Sequence, residues 1–167
     1  VWQTPTQINT IYENAFSLEN SDLVFENNSI YFSNNKNEFF SIDARTGTIR
    51  WAQSINSSLR PTIIENLIFT VSNEGYLFII DDLTGNIIRI TDVLKNFKDR
   101  LDIKPIGFIH AKNKVYVSLS NGRLVTINSS TGIQEKITKI SNSKISRPYI
   151  LNNSMYLIKD NALAKIE

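Results

Sequence analysis

The stretch SIDARTGTIRW, Ser41–Trp51, decides how this chain folds, because its skeleton returns as IIDDLTGNIIR from Ile79 and as TINSSTGIQEK from Thr126. In each copy an Asp or Asn stands four positions before a Gly, with Thr just ahead of that Gly. The pairs are Asp43 and Gly47, Asp81 and Gly85, Asn128 and Gly132. An Asx side chain at the start of a turn accepts hydrogen bonds from N–H groups two or three residues on. Gly suits the point where φ becomes positive, a conformation that costs a residue with a Cβ about 1–2 kcal/mol. Thr46, Thr84 and Thr131 can add a hydroxyl contact. Asp43 and Asp81 therefore read as structural carboxylates rather than catalytic ones.

Each turn has the same surroundings. Upstream lie SIYFSNNKNEFFSID, LIFTVSNEGYLFIID and KVYVSLSNGRLVTIN, each a pair of β-branched and aromatic runs around an Asn-containing break, which is a hairpin pattern. A shorter apolar piece precedes each hairpin (DLVF at 22–25, PTII at 61–64, IGFI at 106–109), and a final strand follows each Gly. A fourth copy opens at RPYILNNSMYLIKDNALAKIE. Four-stranded antiparallel units recurring at 38 and then 47 residues predict an all-β fold of propeller blades. One twisted sheet cannot bury both faces alone, and radial stacking lets each blade cover its neighbour's apolar face. The expected blades are residues 21–54, 59–91, 106–140 and an incomplete one at 146–167. Residues 1–20 read as the end of a preceding blade and its connector. Within the insert at 92–105, Val93, Leu94, Phe97 and Leu101 fall at helical spacing and predict one or two helical turns packed on the rim.

The bulk numbers fit a single soluble-type domain: 167 residues, 41% hydrophobic and 20% charged, with a net charge of +2. That charge is too small for a nucleic-acid footprint, and no apolar run reaches the roughly 18 residues a spanning helix needs. The opening VWQTPTQ has neither an initiator Met nor a signal-peptide pattern, so the chain reads as a trimmed or processed piece. With no Cys, disulfides and thiolate metal sites are excluded.

The run Asp-x-x-Thr-Gly-x-x-x-Trp, Asp43 to Trp51, resembles the tryptophan-docking repeat of the PQQ-like (quinoprotein-type) β-propellers. The other two turns match it without the Trp, carrying Arg89 and Lys136 at the equivalent positions, and Trp2 fits as the end of a further motif. Trp51 is thus expected on an outer strand with its ring against the adjoining blade. Within the superfamily the short blades and the KPIGF…KVYVSLSNGRL texture are most similar to the BamB group of outer-membrane assembly lipoproteins. That resemblance implies a non-enzymatic protein-interaction scaffold and a family of eight-bladed rings, of which four repeats are half: a fragment of a longer chain, one of two halves that pair, or a ring that closes with four blades. It further implies a periplasmic location, an upstream lipid anchor to the outer membrane, protein partners in the assembly machinery and no cofactor. The start of the chain could supply the missing outer strand of the blade ending at Glu167.

The enzymatic alternative is a fragment of a quinoprotein dehydrogenase, whose relatives hold PQQ and Ca²⁺ with acidic and Asn ligands; a ligand-sensing propeller domain is a further alternative. His110 is the only histidine, which leaves no zinc-type ligand cluster and reads as a residue at a strand end. Arg60-Pro61, Lys104-Pro105 and Arg147-Pro148 each precede a blade's first strand, where Pro is tolerated because it need not donate to the ladder. Arg60, Lys104 and Arg147 are accordingly candidates for a basic ring at one channel mouth, able to attract an acidic partner segment.

Overall fold

The fold is described from a computed structural model covering residues 1–6 and 19–166. Its strands form separate antiparallel sheets, each joined in simple up-and-down order. The first sheet holds β1 (Val24–Glu26), β2 (Ser29–Asn34), β3 (Glu38–Asp43) and β4 (Ile49–Gln53). The second holds β5 (Thr62–Ile64), β6 (Leu67–Val71), β7 (Tyr76–Asp81) and β8 (Ile87–Asp92). The third holds β9 (Pro105–Ala111), β10 (Lys114–Leu119), β11 (Arg123–Asn128) and β12 (Gln134–Lys139). A last sheet has β13 (Tyr149–Leu151), β14 (Ser154–Lys159) and β15 (Ala162–Ile166).

The innermost hairpins close on tight turns whose residues stand in the left-handed region. Asn27 and Asn28 have φ of 47° and 61°, and Lys112–Asn113 and Asn152–Asn153 repeat the arrangement. Two-residue turns with φ positive at both central positions match the twist of the flanking strands, and Asn tolerates that region best after Gly. The asparagines at these turns therefore have a conformational reason.

Alternation along each strand sends one set of side chains to the preceding blade and the other to the following one. Between the first two sheets lie Tyr31, Phe39, Ile68 and Ile80. Between the second and third, Phe69, Val71, Leu77 and Ile79 meet Val115, Val117, Val125 and Ile127, all buried. The third and fourth sheets meet through Leu124, Ile145 and Leu157. Full burial of such a side chain contributes about 1.5–3 kcal/mol, so most of the stabilisation lies between sheets rather than within them.

The connection from β8 to β9 is mostly loop packed on the rim, with one short helical turn. Asp92 Oδ1 accepts from the Leu94 amide at 2.9 Å and its other oxygen takes Arg100 Nη1 at 2.9 Å, which folds the segment back on β8. Only a 3-10 turn, Arg100–Asp102, interrupts the loop. Val93 and Leu94 are buried and Phe97 packs against the same core, whereas Leu101 is 91% exposed. Leu94 fills the space above Gly75, where a Cβ would lie 2.5 Å from its Cδ1. Leu94→Ala should therefore lower stability by about 2–4 kcal/mol and Leu101→Ala by less than about 0.5, measured by urea denaturation.

Candidate functional site

The repeated turn is built in the same way three times. The Gly amide donates to the carbonyl of the Asx residue at 2.8 Å in Gly47, 2.9 Å in Gly85 and 2.8 Å in Gly132. Asp43 Oδ1 accepts from the amides of Arg45 and Thr46, Asp81 Oδ1 from that of Thr84, and Asn128 Oδ1 from those of Ser130 and Thr131. Each Thr hydroxyl then accepts from the amide just past the Gly: Thr48, Asn86 and Ile133. The three glycines have φ of 76°, 74° and 74°. Every turn is followed by the same one-residue register shift between the third and fourth strands of its sheet.

Each turn is also a socket for the blade before it. Trp51 on β4 stacks on Phe39 with centroids 5.8 Å apart, and its Nε1 donates across to the Asp82 carbonyl at 2.9 Å. A Cβ on Gly85 would sit 2.6 Å from the Trp51 ring, so only Gly admits the indole. Trp2 does the same on the Gly47 turn, donating to the Ala44 carbonyl at 3.2 Å. Arg89 lies along Gly132 and donates from Nη1 to the Ser129 carbonyl at 3.1 Å. Trp and Arg thus reach the same atom, the carbonyl one residue past the Asx. Two positions beyond each tryptophan a second contact goes to the Gly carbonyl, from Thr4 Oγ1 on Gly47 and from Gln53 Nε2 on Gly85. That second contact has no residue type in common and carries no signal in the sequence. Lys136 occupies the corresponding place on β12, is exposed, and makes no side-chain hydrogen bond among the described residues.

Charge supports the turns. The Arg50 guanidinium, 2.6 Å from Asp43 Oδ2, holds that carboxyl far below the usual Asp range, with the Thr46 amide adding to the effect. The Thr84 hydroxyl and amide lower Asp81. Both groups are ionised in the folded state at pH values where the unfolded chain has begun to take up protons near pH 4. Their contribution is thus fully present above the unfolded value and is lost as pH falls through the folded one. Thermal melting from pH 7 to pH 2.5 should show stability dropping below about pH 4, with a shallower drop for Asp43→Asn. Replacing Trp51 by Ala should cost about 3 kcal/mol in chemical denaturation, whereas Lys136→Ala should be nearly neutral.

A second feature lies at the inner edges of the sheets. A cavity of about 210 Å³ is lined by Asp22, Arg60, Gly107 and Arg147, one from each sheet's entry. Strand register explains the set: Val24, Thr62, Ile109 and Tyr149 pair with Tyr31, Phe69, Tyr116 and Tyr156, and the four lining residues stand two positions before them. Arg147 lies across Gly107, where a Cβ would come within 2.5 Å of its own, and Arg147 Nε donates to the Phe108 carbonyl at 3.0 Å. Arg60 is exposed and without a side-chain hydrogen bond among the described residues. Lys104 does not stand with the other two. It lies three register positions upstream of Gly107, its backbone bonded to Ser120, because β9 is extended at its start and shifts register between Ser118 and Leu119. Pro105 imitates Pro61 and Pro148 in sequence without sharing their place.

The remaining candidate for chemistry is His110, half-buried on β9, 4.8 Å from the Phe69 ring; burial lowers its pKa. Among the described residues no three His, Cys, Asp or Glu side chains converge as metal ligands do.

Radially packed antiparallel blades with a docked side chain on each Asx-x-x-Thr-Gly turn define a β-propeller of the PQQ-like repeat class. The family model described as outer membrane protein assembly factor BamB matches residues 1–91, more than half of the chain, and the chain belongs to that family. No curated protein sequence matches it. Among solved structures, BamB from Moraxella catarrhalis overlays with a TM-score of 0.69 at 14% identity, covering 87% of this chain and 41% of that one. The computationally designed Ika4 protein overlays at 0.73 and 13% identity, covering 92% of this chain and 93% of that one. The β-propeller domain of Cps50 (Swd1) from Myceliophteria thermophila overlays at 0.64 and 10%, covering 80% and 46%. These likenesses concern the fold. The chain spans about two-fifths of the length of the Moraxella structure.

Proposed function

We propose that the chain is part of a non-enzymatic, periplasmic scaffold that binds protein components of the outer-membrane assembly machinery, with attachment to the outer membrane through an upstream lipid anchor. Membership of the BamB family supports this reading. The structural observation that carries it to particular residues is the mouth of the inner cavity, where Arg60 is exposed and Arg147 is braced on Gly107. A guanidinium with open donors recognises a carboxylate through paired, charge-assisted hydrogen bonds. Two at one concave mouth, against the single Asp22 carboxylate there, leave a net positive charge that attracts an acidic loop, while the flanking inner strands supply a rigid frame. Lys104, further along the same rim, adds to the attractive field without entering the cavity. Such complementarity sets the association rate and partner choice more than bulk affinity.

Binding to purified periplasmic domains of the assembly machinery, followed by biolayer interferometry at several salt concentrations, tests the reading. Arg60→Glu should weaken binding at least about tenfold at low salt with no change in melting temperature, and Lys104→Glu should weaken it less. No binding by the parent chain, or equal binding by Arg60→Glu, would contradict the proposal. Saturable uptake of PQQ with Ca²⁺ would favour a dehydrogenase fragment instead.

A further inference from the structure

The outer strands of the first three sheets differ at equivalent positions. Two, seven and nine residues past the Asx stand Arg45, Arg50 and Ala52 in the first sheet, and Ser130, Glu135 and Ile137 in the third. Two of these side chains bond back to their own sheet: Arg50 to Asp43 at 2.6 Å, and Glu135 to Asn128 at 3.2 Å and Lys114 at 2.7 Å. In the second sheet the same positions hold Leu83, Ile88 and Ile90, exposed at 77%, 54% and 54%. Charged side chains on an edge strand discourage pairing with another chain. From Asn86 to Thr91 none points outward, because Arg89 lies across Gly132 and bonds the Ser129 carbonyl. Among the described residues β8 pairs only with β7. The Val93 amide bonds the Gly75 carbonyl, so alternation turns the main chain of Thr91 and Arg89 toward β7 and that of Ile90 outward.

We propose that β8 is a dimerisation edge, pairing antiparallel with β8 of a second copy about a two-fold axis at Arg89. Ile88 of each copy then lies opposite Ile90 of the other, and such cross-strand apolar pairs stabilise a ladder. Arg89 sits on the axis, but its guanidinium is held away on the third sheet. Moving the axis to Ile90 would set Ile88 against Asp92, whose carboxylate is committed to Arg100 and the Leu94 amide. The Arg89 register is therefore the one that pairs both isoleucines. Charge selects the same occupant. The turn ahead of β8 carries Asp82 and the segment after it Lys95, and neither has an ion-pair partner among the described residues. Antiparallel pairing brings the turn of one copy beside the segment after β8 of the other, so that Asp82 meets Lys95 twice. A contact of this kind uses one patch on both copies and closes at two. Its area is one strand pair flanked by two turns, small against the roughly 1,600 Å² of a standard interface, so the dimer is weak. The outer edge of β8 is remote from the inner mouth, and the inference does not rest on the partner proposed for Arg60 and Arg147.

Sedimentation equilibrium from micromolar to hundreds of micromolar should show the parent chain moving from 19.1 kDa toward twice that mass. Ile88→Arg installs the residue type that the first sheet carries at this position, where it can reach Asp81 as Arg50 reaches Asp43. It should raise the dissociation constant at least about tenfold without lowering the melting temperature. Asp82→Lys and Lys95→Asp should each weaken association at low salt, and the two changes in one chain should restore it. A monomer throughout, a dimer that Ile88→Arg leaves intact, or a charge swap that fails to restore association would each overturn the proposal. Should Ile88→Arg destabilise the fold, the charge swap decides.

Discussion

The structure depends on one contact between neighbouring blades: a side chain from one outer strand inserted against a glycine of the next turn and bonded to the carbonyl one residue past its Asx. Sheets packed face to face through aliphatic side chains can slide, because dispersion and desolvation are nearly indifferent to small translations. A directional bond at the outer rim removes that freedom. It fixes the angle and height of each blade against the next, and the inner strands are thereby held where their entry residues converge.

The socket explains which residue types the repeat tolerates. The Asx side chain, the Thr hydroxyl and the Gly amide satisfy the turn's own donors, leaving one carbonyl directed at the neighbour. Anything with a donor at the end of a long or flat side chain can use it. Trp51 combines that bond with stacking on Phe39, whereas Arg89 covers Gly132 with its aliphatic stem and bonds through its guanidinium. The carbonyl, not the indole, is the constant partner. Loss of Trp from later repeats thus preserves the geometry with less buried apolar surface.

Local chemistry was legible in the sequence, and register was not. The Asx-to-Gly spacing, the hairpins and the outward place of Trp51 follow from interactions within a few residues, so they could be read directly. The inner set could not. Arg60 and Arg147 share a register position with Asp22 and Gly107, whereas Lys104 stands apart because β9 begins early and bulges against Leu119. A proline beside a basic residue marks a strand start but says nothing about where that strand is paired. The insert after Asp92 was legible in part, as a rim-packed segment with one short helical turn. Its apolar spacing suits a helix, but the Asp92 carboxylate bonds Leu94 and Arg100 and bends the chain back, leaving Leu101 in solvent. The paired asparagines at the inner turns were the missed signal, since positive φ in two consecutive residues favours them there.

The most direct measurement of the docking account is a double-mutant cycle between Trp51→Ala and Gly85→Ala by equilibrium denaturation. If the indole occupies the space a Cβ on Gly85 would take, the Gly85→Ala change should be less damaging once Trp51 is gone. The account predicts a coupling of at least about 1 kcal/mol, with the residual cost of Gly85→Ala reflecting its positive φ alone. Effects that simply add, within about 0.5 kcal/mol, would contradict it.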